Sequence, residues 1–88
     1  MFGGQRKAEK IMPHLIVKML PGRSEEQKRK LADALTQAVI DSLNSQDKSI
    51  SVSIEDVPEE EWTRKVYIPD IQDKPDLVYK KPGYDPFA

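Results

Sequence analysis

The stretch Pro13-His14-Leu15-Ile16-Val17-Lys18-Met19-Leu20, closed by Pro21-Gly22, limits more than any other segment what this chain can become. Leu15, Val17 and Met19 alternate with His14, Ile16, Lys18 and Leu20, which predicts a strand with apolar residues on both faces. Such a strand needs cover on both sides, and one helix covers only one of them. The chain has 88 residues, enough for one domain with a marginal core of its own. Only 38% of those residues are hydrophobic and 33% are charged, so little apolar material is left for a second layer. The missing cover is therefore expected from another copy of the chain.

Other features narrow the class. There is no cysteine, so no disulfide staples the fold. No apolar run approaches the ~18 residues that a membrane-spanning helix needs. Fourteen basic and 15 acidic residues leave a net charge of −1, which offers no field for nucleic acid or anionic lipid. The expectation is a cytoplasmic protein with no nucleic-acid or membrane partner. Residues 1–11 are polar and carry two adjacent glycines but no apolar core of a secretory signal. We therefore read residues 1–12 as a leader or extension and residues 13–88 as a single domain.

Ser24-Glu25-Glu26-Gln27 has the form of a capping box and opens a helix that Asn44 is suited to end. Leu31, Ala32, Leu35, Ala38, Val39, Ser42 and Leu43 are expected to share its apolar stripe, with Asp33, Gln37 and Asp41 in water. Lys48–Val57 reads as a second strand, Ile50, Val52 and Ile54 on one face and Ser49, Ser51, Ser53 and Glu55 on the other. Strand, helix and strand in that order predict an α/β fold built on a right-handed βαβ unit with parallel strands. Pro58 ends the second strand. Glu59-Glu60-Glu61-Trp62 suits a short helical turn, Val66-Tyr67-Ile68 a short edge strand before Pro69, and Asp76–Lys80 a last turn.

Conventional chemistry is sparse. The single histidine, His14, stands without cysteine or a paired-histidine spacing, so no metal site is expected. The four glycines form neither a phosphate loop nor a dinucleotide fingerprint, and no organic cofactor is expected. The Met12-Pro13 junction stands apart. If the chain begins at Pro13, that residue is a secondary amine; within a chain it is an amide with no basic nitrogen. A free α-amine titrates near ~7.7–8.0, and desolvation or nearby cations lower that further, which suits a general base. Read from the dipeptide alone, a proline at the first residue of a strand is the commoner case. Arg23 likewise reads as a turn residue before the helix cap, His14 as a strand-start residue, and Trp62 equally as oligomer packing or pocket wall.

Met-Pro-His-Leu-Ile-Val-Lys, followed by Pro21-Gly22-Arg23-Ser24-Glu25-Glu26-Gln27-Lys28, resembles the 4-oxalocrotonate tautomerase family. The second strand SISVSIEDV, Glu61-Trp62 and the tail Lys80-Lys81-Pro82-Gly83-Tyr84 resemble its small bacterial branch. The resemblance runs from Pro13 to about Tyr84. It implies a keto–enol tautomerase, an isomerase without metal or organic cofactor, that moves a proton on a small carboxylated enol or α-keto acid. In that reading Pro13 is base and then acid, Arg23 binds the substrate carboxylate, and Trp62 is an aromatic wall of the pocket. The family's second-strand arginine is replaced by Ser51, which donates a hydrogen bond but brings no charge. A monocarboxylate such as an arylpyruvate enol fits that change better than a dicarboxylate. Pro13 and Arg23 flank one strand and stand roughly 25 Å or more apart at ~3.3 Å per residue. They meet only if a second copy brings its Arg23, so a homo-oligomer with a dimer as the minimum, and a hexamer compatible, is expected. If the leader is retained, Pro13 is an amide and the alternative is a catalytically silent oligomeric scaffold.

Overall fold

The computed structural model describes residues 10–88. Most of the expected leader lies outside the described residues. The chain divides into two compact units: residues up to Val17 with Arg23–Ile54, and Lys18–Gly22 with Glu55–Ala88.

Strand β1 (His14–Met19), helix α1 (Glu25–Leu43) and strand β2 (Ser51–Asp56) follow one another, and β1 and β2 form a two-stranded sheet. Ser51 N–H donates to the Pro13 carbonyl at 3.2 Å and Val57 N–H to the Met19 carbonyl at 2.8 Å. Both partners advance by the same six residues in the same sense, so the strands are parallel. The βαβ unit expected from the sequence is the fold, and its sheet is left open.

Exposure alternates over the first four residues of each strand. Leu15 and Val17, with Val52 and Ile54, are half-buried; His14, Ile16, Ser51 and Ser53 are exposed. Ile16 is 60% accessible, so on the second side of β1 it has little cover among the described residues. The expected face pattern of β2 holds, although the strand starts at Ser51 rather than Lys48. Residues Asp47–Ser49 instead form a 3₁₀ turn. Ser49 Oγ donates to the Gln46 carbonyl at 2.9 Å. That uses its one proton, so the buried Ser45 hydroxyl donates to Ser49 Oγ at 3.1 Å. These bonds hold the chain in a turn where a ladder was expected.

Ser24 caps α1 from extended backbone. Its Oγ accepts from Gln27 N–H at 3.1 Å, and Gln27 Oε1 accepts from Ser24 N–H at 2.9 Å. Asn44, at φ 57°, ends the helix in the left-handed conformation with its N–H on the Ile40 carbonyl at 2.9 Å. The covered stripe comprises Lys28, Leu31, Ala32, Leu35, Thr36, Val39 and Ile40. It is therefore rotated from expectation: Ala38, Ser42 and Leu43 are exposed, and Thr36 and Ile40 take their places. Thr36 fits a half-apolar position because its hydroxyl donates to the Ala32 carbonyl at 2.8 Å. No residue of α1 is fully buried.

The second unit departs most from the sequence reading. After a 3₁₀ turn at Glu59–Glu61, residues Thr63–Gln72 form a π-helix with Pro69 inside it, so the expected edge strand over residues 66–68 does not exist. Asp73 N–H bonds the Ile68 carbonyl at 2.9 Å, the wide i→i−5 spacing. A proline in an α-helix clashes with the carbonyl four residues back. The wider turn relieves that contact and lets the helix pass through Pro69. Val66 is buried and, with Val57, is the buried apolar residue pair of the described chain. The last expected turn is displaced to Pro75–Leu77.

Ion pairs tie this unit together. Lys18 Nζ donates to Asp70 Oδ2 at 2.7 Å, and that hydrogen bond holds the ammonium above its usual pKa. Lys65 Nζ meets Glu61 Oε1 at 2.6 Å and holds that carboxyl below its usual range.

Because the capping box satisfies helix N–H groups that no other residue serves, Ser24→Ala should destabilise the chain by ~1 kcal/mol. In a domain of this size that is a fall in Tm of about 4–8 °C, read by circular dichroism. An unchanged Tm would show that the cap is dispensable.

Candidate functional site

Parallel pairing places the starts of β1 and β2 side by side. Pro13 is half-buried immediately before β1, and its carbonyl is held by Ser51 N–H. The first residues of the two strands, His14 and Ser51, then stand on one exposed face, with His14 Nδ1 and Ser51 Oγ 2.7 Å apart. Of the expected site residues, Pro13 and Ser51 are thus brought together.

Arg23 is not brought to them. Gly22, at φ +126°, supplies the backbone conformation for the turn after β1, and Arg23 follows it, exposed, directly before the Ser24 cap. The whole of β1 separates it from Pro13. Six residues at ~3.3 Å each span ~20 Å, more than the reach of an arginine side chain. Among the described residues its guanidinium makes no hydrogen bond or ion pair, so its donors are available.

Trp62 belongs to the second unit, between the 3₁₀ turn and the π-helix. Its indole Nε1–H donates to Tyr84 Oη at 2.9 Å. The Tyr84 ring lies 5.8 Å from that of Tyr67, tilted by 49°, and Tyr67 meets Phe87 edge-on at 5.9 Å. Such tilted pairs are favoured arrangements for aromatic rings. The tail turns back on itself through Asp85, whose Oδ1 accepts from Phe87 N–H at 2.9 Å. Leu20, Glu59, Trp62, Thr63, Tyr84 and Pro86 line a cleft of about 480 Å³. That size lies in the range of small-molecule sites, and the lining is mainly apolar with one carboxylate residue.

The contacts of His14 and Tyr84 are not foreseen from the sequence. The partner of His14 is 37 residues away, and only the parallel register connects them. Tyr84 belongs to the Lys-Lys-Pro-Gly-Tyr tail, and its bond to Trp62 depends on the fold of that tail. Among the described residues no group of three or more His, Cys, Asp or Glu is placed to hold a metal ion, and no helix is long and apolar enough to cross a membrane.

Comparisons with known proteins give a consistent picture. A family model described as "Tautomerase enzyme" matches residues 13–68. The chain is 43% identical over 77 residues to a "Probable tautomerase" of Xylella fastidiosa (strain 9a5c), covering 88% of this chain and 94% of that protein. It is 39% identical over 75 residues to "Tautomerase PptA" of Cronobacter sakazakii (strain ATCC BAA-894), covering 84% of this chain and 99% of that protein. Among solved structures, TomN, a 4-oxalocrotonate tautomerase homologue of the tomaymycin biosynthetic pathway, superposes with a TM-score of 0.55 at 34% identity over 57% of this chain and 77% of its own. A 4-oxalocrotonate tautomerase isozyme from Methylibium petroleiphilum gives 0.55 at 36% identity, over 57% of this chain and 81% of its own. With the βαβ fold, the family model and these relatives in agreement, the chain belongs to the tautomerase family.

Proposed function

We propose that this chain, when it begins at Pro13, is a cytoplasmic keto–enol tautomerase that uses the Pro13 amine as general base and acid, without metal or organic cofactor. The family match begins on Pro13, and that observation carries the reading. In the ketonising direction the neutral amine accepts the enol O–H proton. The oxygen's freed electron pair closes the C=O bond, and the C=C pair takes the proton back from the ammonium at carbon. The proton has moved from oxygen to carbon and the amine is neutral again. An amine near neutrality in pKa serves both halves of that cycle.

Ser51 donates a hydrogen bond to the reacting oxygen, where it supports developing charge. Arg23 binds the substrate carboxylate through its planar fork of donors. Because β1 holds Arg23 away from its own Pro13, the arginine comes from a second copy paired antiparallel about a two-fold axis. The open sheet and the uncovered Ile16 favour such pairing. Leu20, which lines the Trp62 cleft, follows β1 and so stands as far along the strand from its own Pro13 as Arg23 does. The cleft that takes the uncharged end of the substrate is therefore also the second copy's, and its acidic Glu59 disfavours the carboxylate end. A small monocarboxylate with an aryl end, such as an arylpyruvate enol, satisfies all three requirements.

The decisive experiment is mass spectrometry of the cellular protein's N-terminus together with an assay of phenylpyruvate ketonisation. A chain beginning at Pro13 should be active, and Pro13→Ala should lose at least ~10²-fold in kcat. A mature chain beginning at Met1 would remove the amine mechanism and leave an oligomeric scaffold. Subunit sharing has its own test. Pro13→Ala and Arg23→Ala chains, each inactive, should recover about a quarter of wild-type activity when mixed through unfolding and refolding, because half the dimers then hold one intact site. No recovery would place Arg23 and Pro13 in separate functions. For the cleft, Tyr84→Phe removes the acceptor of the Trp62 N–H and should raise KM for an aryl substrate about fivefold with little change in kcat. A Trp62→Ala chain with unchanged KM would sink the cleft assignment.

A further inference from the structure

His14 and Ser51 are the first residues of two parallel strands, and their side chains meet at 2.7 Å on an exposed face beside Pro13. That distance is at the short end of N···O hydrogen bonds. It leaves two opposite arrangements, because a serine hydroxyl has one proton and either nitrogen of a neutral imidazole can carry one. If Nδ1 is bare, Ser51 donates to it and has no proton for anything else. If Nδ1 carries the proton, His14 donates, and the Ser51 hydroxyl proton is free to point elsewhere. The Ser51 backbone N–H is already committed to the Pro13 carbonyl at 3.2 Å, so the hydroxyl is the one donor Ser51 has left. Among the described residues, Ser51 Oγ has no second partner that would use it.

We infer that His14 is the positioning residue of this site: its Nδ1–H donates to Ser51 Oγ and turns the Ser51 hydroxyl proton toward the substrate oxygen. The inference rests on the roles proposed for Pro13 and Ser51 and adds what gives Ser51 its direction. A hydroxyl without such a partner rotates among three staggered positions and spends its proton on water. With one lone pair held by His14, the remaining directions are fewer and the proton stays available. An arginine at this position would need no such help, since its donors are fixed by the planar group. A serine does, and the histidine that supplies it is placed by the same register that aligns the strand starts.

The chain has a single histidine, so one imidazole signal reports the bond directly. Long-range ¹H–¹⁵N NMR of the labelled full chain, at a pH where the imidazole is neutral, should show the proton on Nδ1. In Ser51→Ala it should move toward Nε2. A bare Nδ1 in the wild-type chain would reverse the bond and overturn the inference. Kinetics on the chain beginning at Pro13 supply the second arm. Ser51→Ala should lower kcat by about 10²-fold and His14→Leu by about 10-fold, each with KM little changed. His14→Asn, whose amide N–H reaches the Nδ1 position, should recover most of the His14→Leu loss. The double variant should be no slower than Ser51→Ala alone, because His14 acts through Ser51. Additive losses in an active enzyme would overturn the inference and leave the proposed function standing. An inactive wild-type chain beginning at Pro13 would overturn both.

Discussion

The parallel register of β1 and β2, fixed by the Pro13 carbonyl on Ser51 N–H and the Met19 carbonyl on Val57 N–H, is the constraint on which the rest depends. Parallel strands cannot be joined by a tight turn, so a crossover is obligatory, and α1 is that crossover. Aligned starts put Pro13, His14 and Ser51 at one end of the sheet. The same geometry leaves Arg23 at the far end of β1. A slip of one residue in β2 would move Ser51 to the other face and bring Val52 beside His14.

Much of this was legible from the sequence because the signals were local and mutually consistent. Ser24 and Gln27 close a capping box through bonds three residues apart, and Asn44 ends the helix in a conformation that asparagine tolerates. The alternation of Val52 and Ile54 with Ser51 and Ser53 assigned the faces of β2 correctly. Pro13 stands out already at the Met12-Pro13 junction. Its role and that of Ser51 come from the family resemblance, and the register brings the two together without further input.

What was not legible depended on contacts distant in sequence or on competition between rules. Val66-Tyr67-Ile68 before Pro69 has the composition of an edge strand. A π-helix overrides that preference by widening around the proline and burying Val66. The helix stripe was placed by counting apolar residues, which favoured Ala38 and Leu43. Thr36 is half-buried instead, its polar hydroxyl satisfied by the Ala32 carbonyl. The bond between Trp62 and Tyr84 spans 22 residues and follows no periodic rule.

The capped helix also bears on how the sheet assembles. Pairing β1 with β2 requires closing the chain from residue 20 to residue 50, and the entropy lost grows with the length of flexible chain. Nineteen of those residues belong to α1, whose ends are sealed by the Ser24–Gln27 box and by Asn44. Once the helix forms, they cease to count as flexible chain, and closure draws only on the short segments at either end. A helix with no fully buried residue contributes little to the core, yet it lowers the entropic barrier to the strand pairing that builds the site.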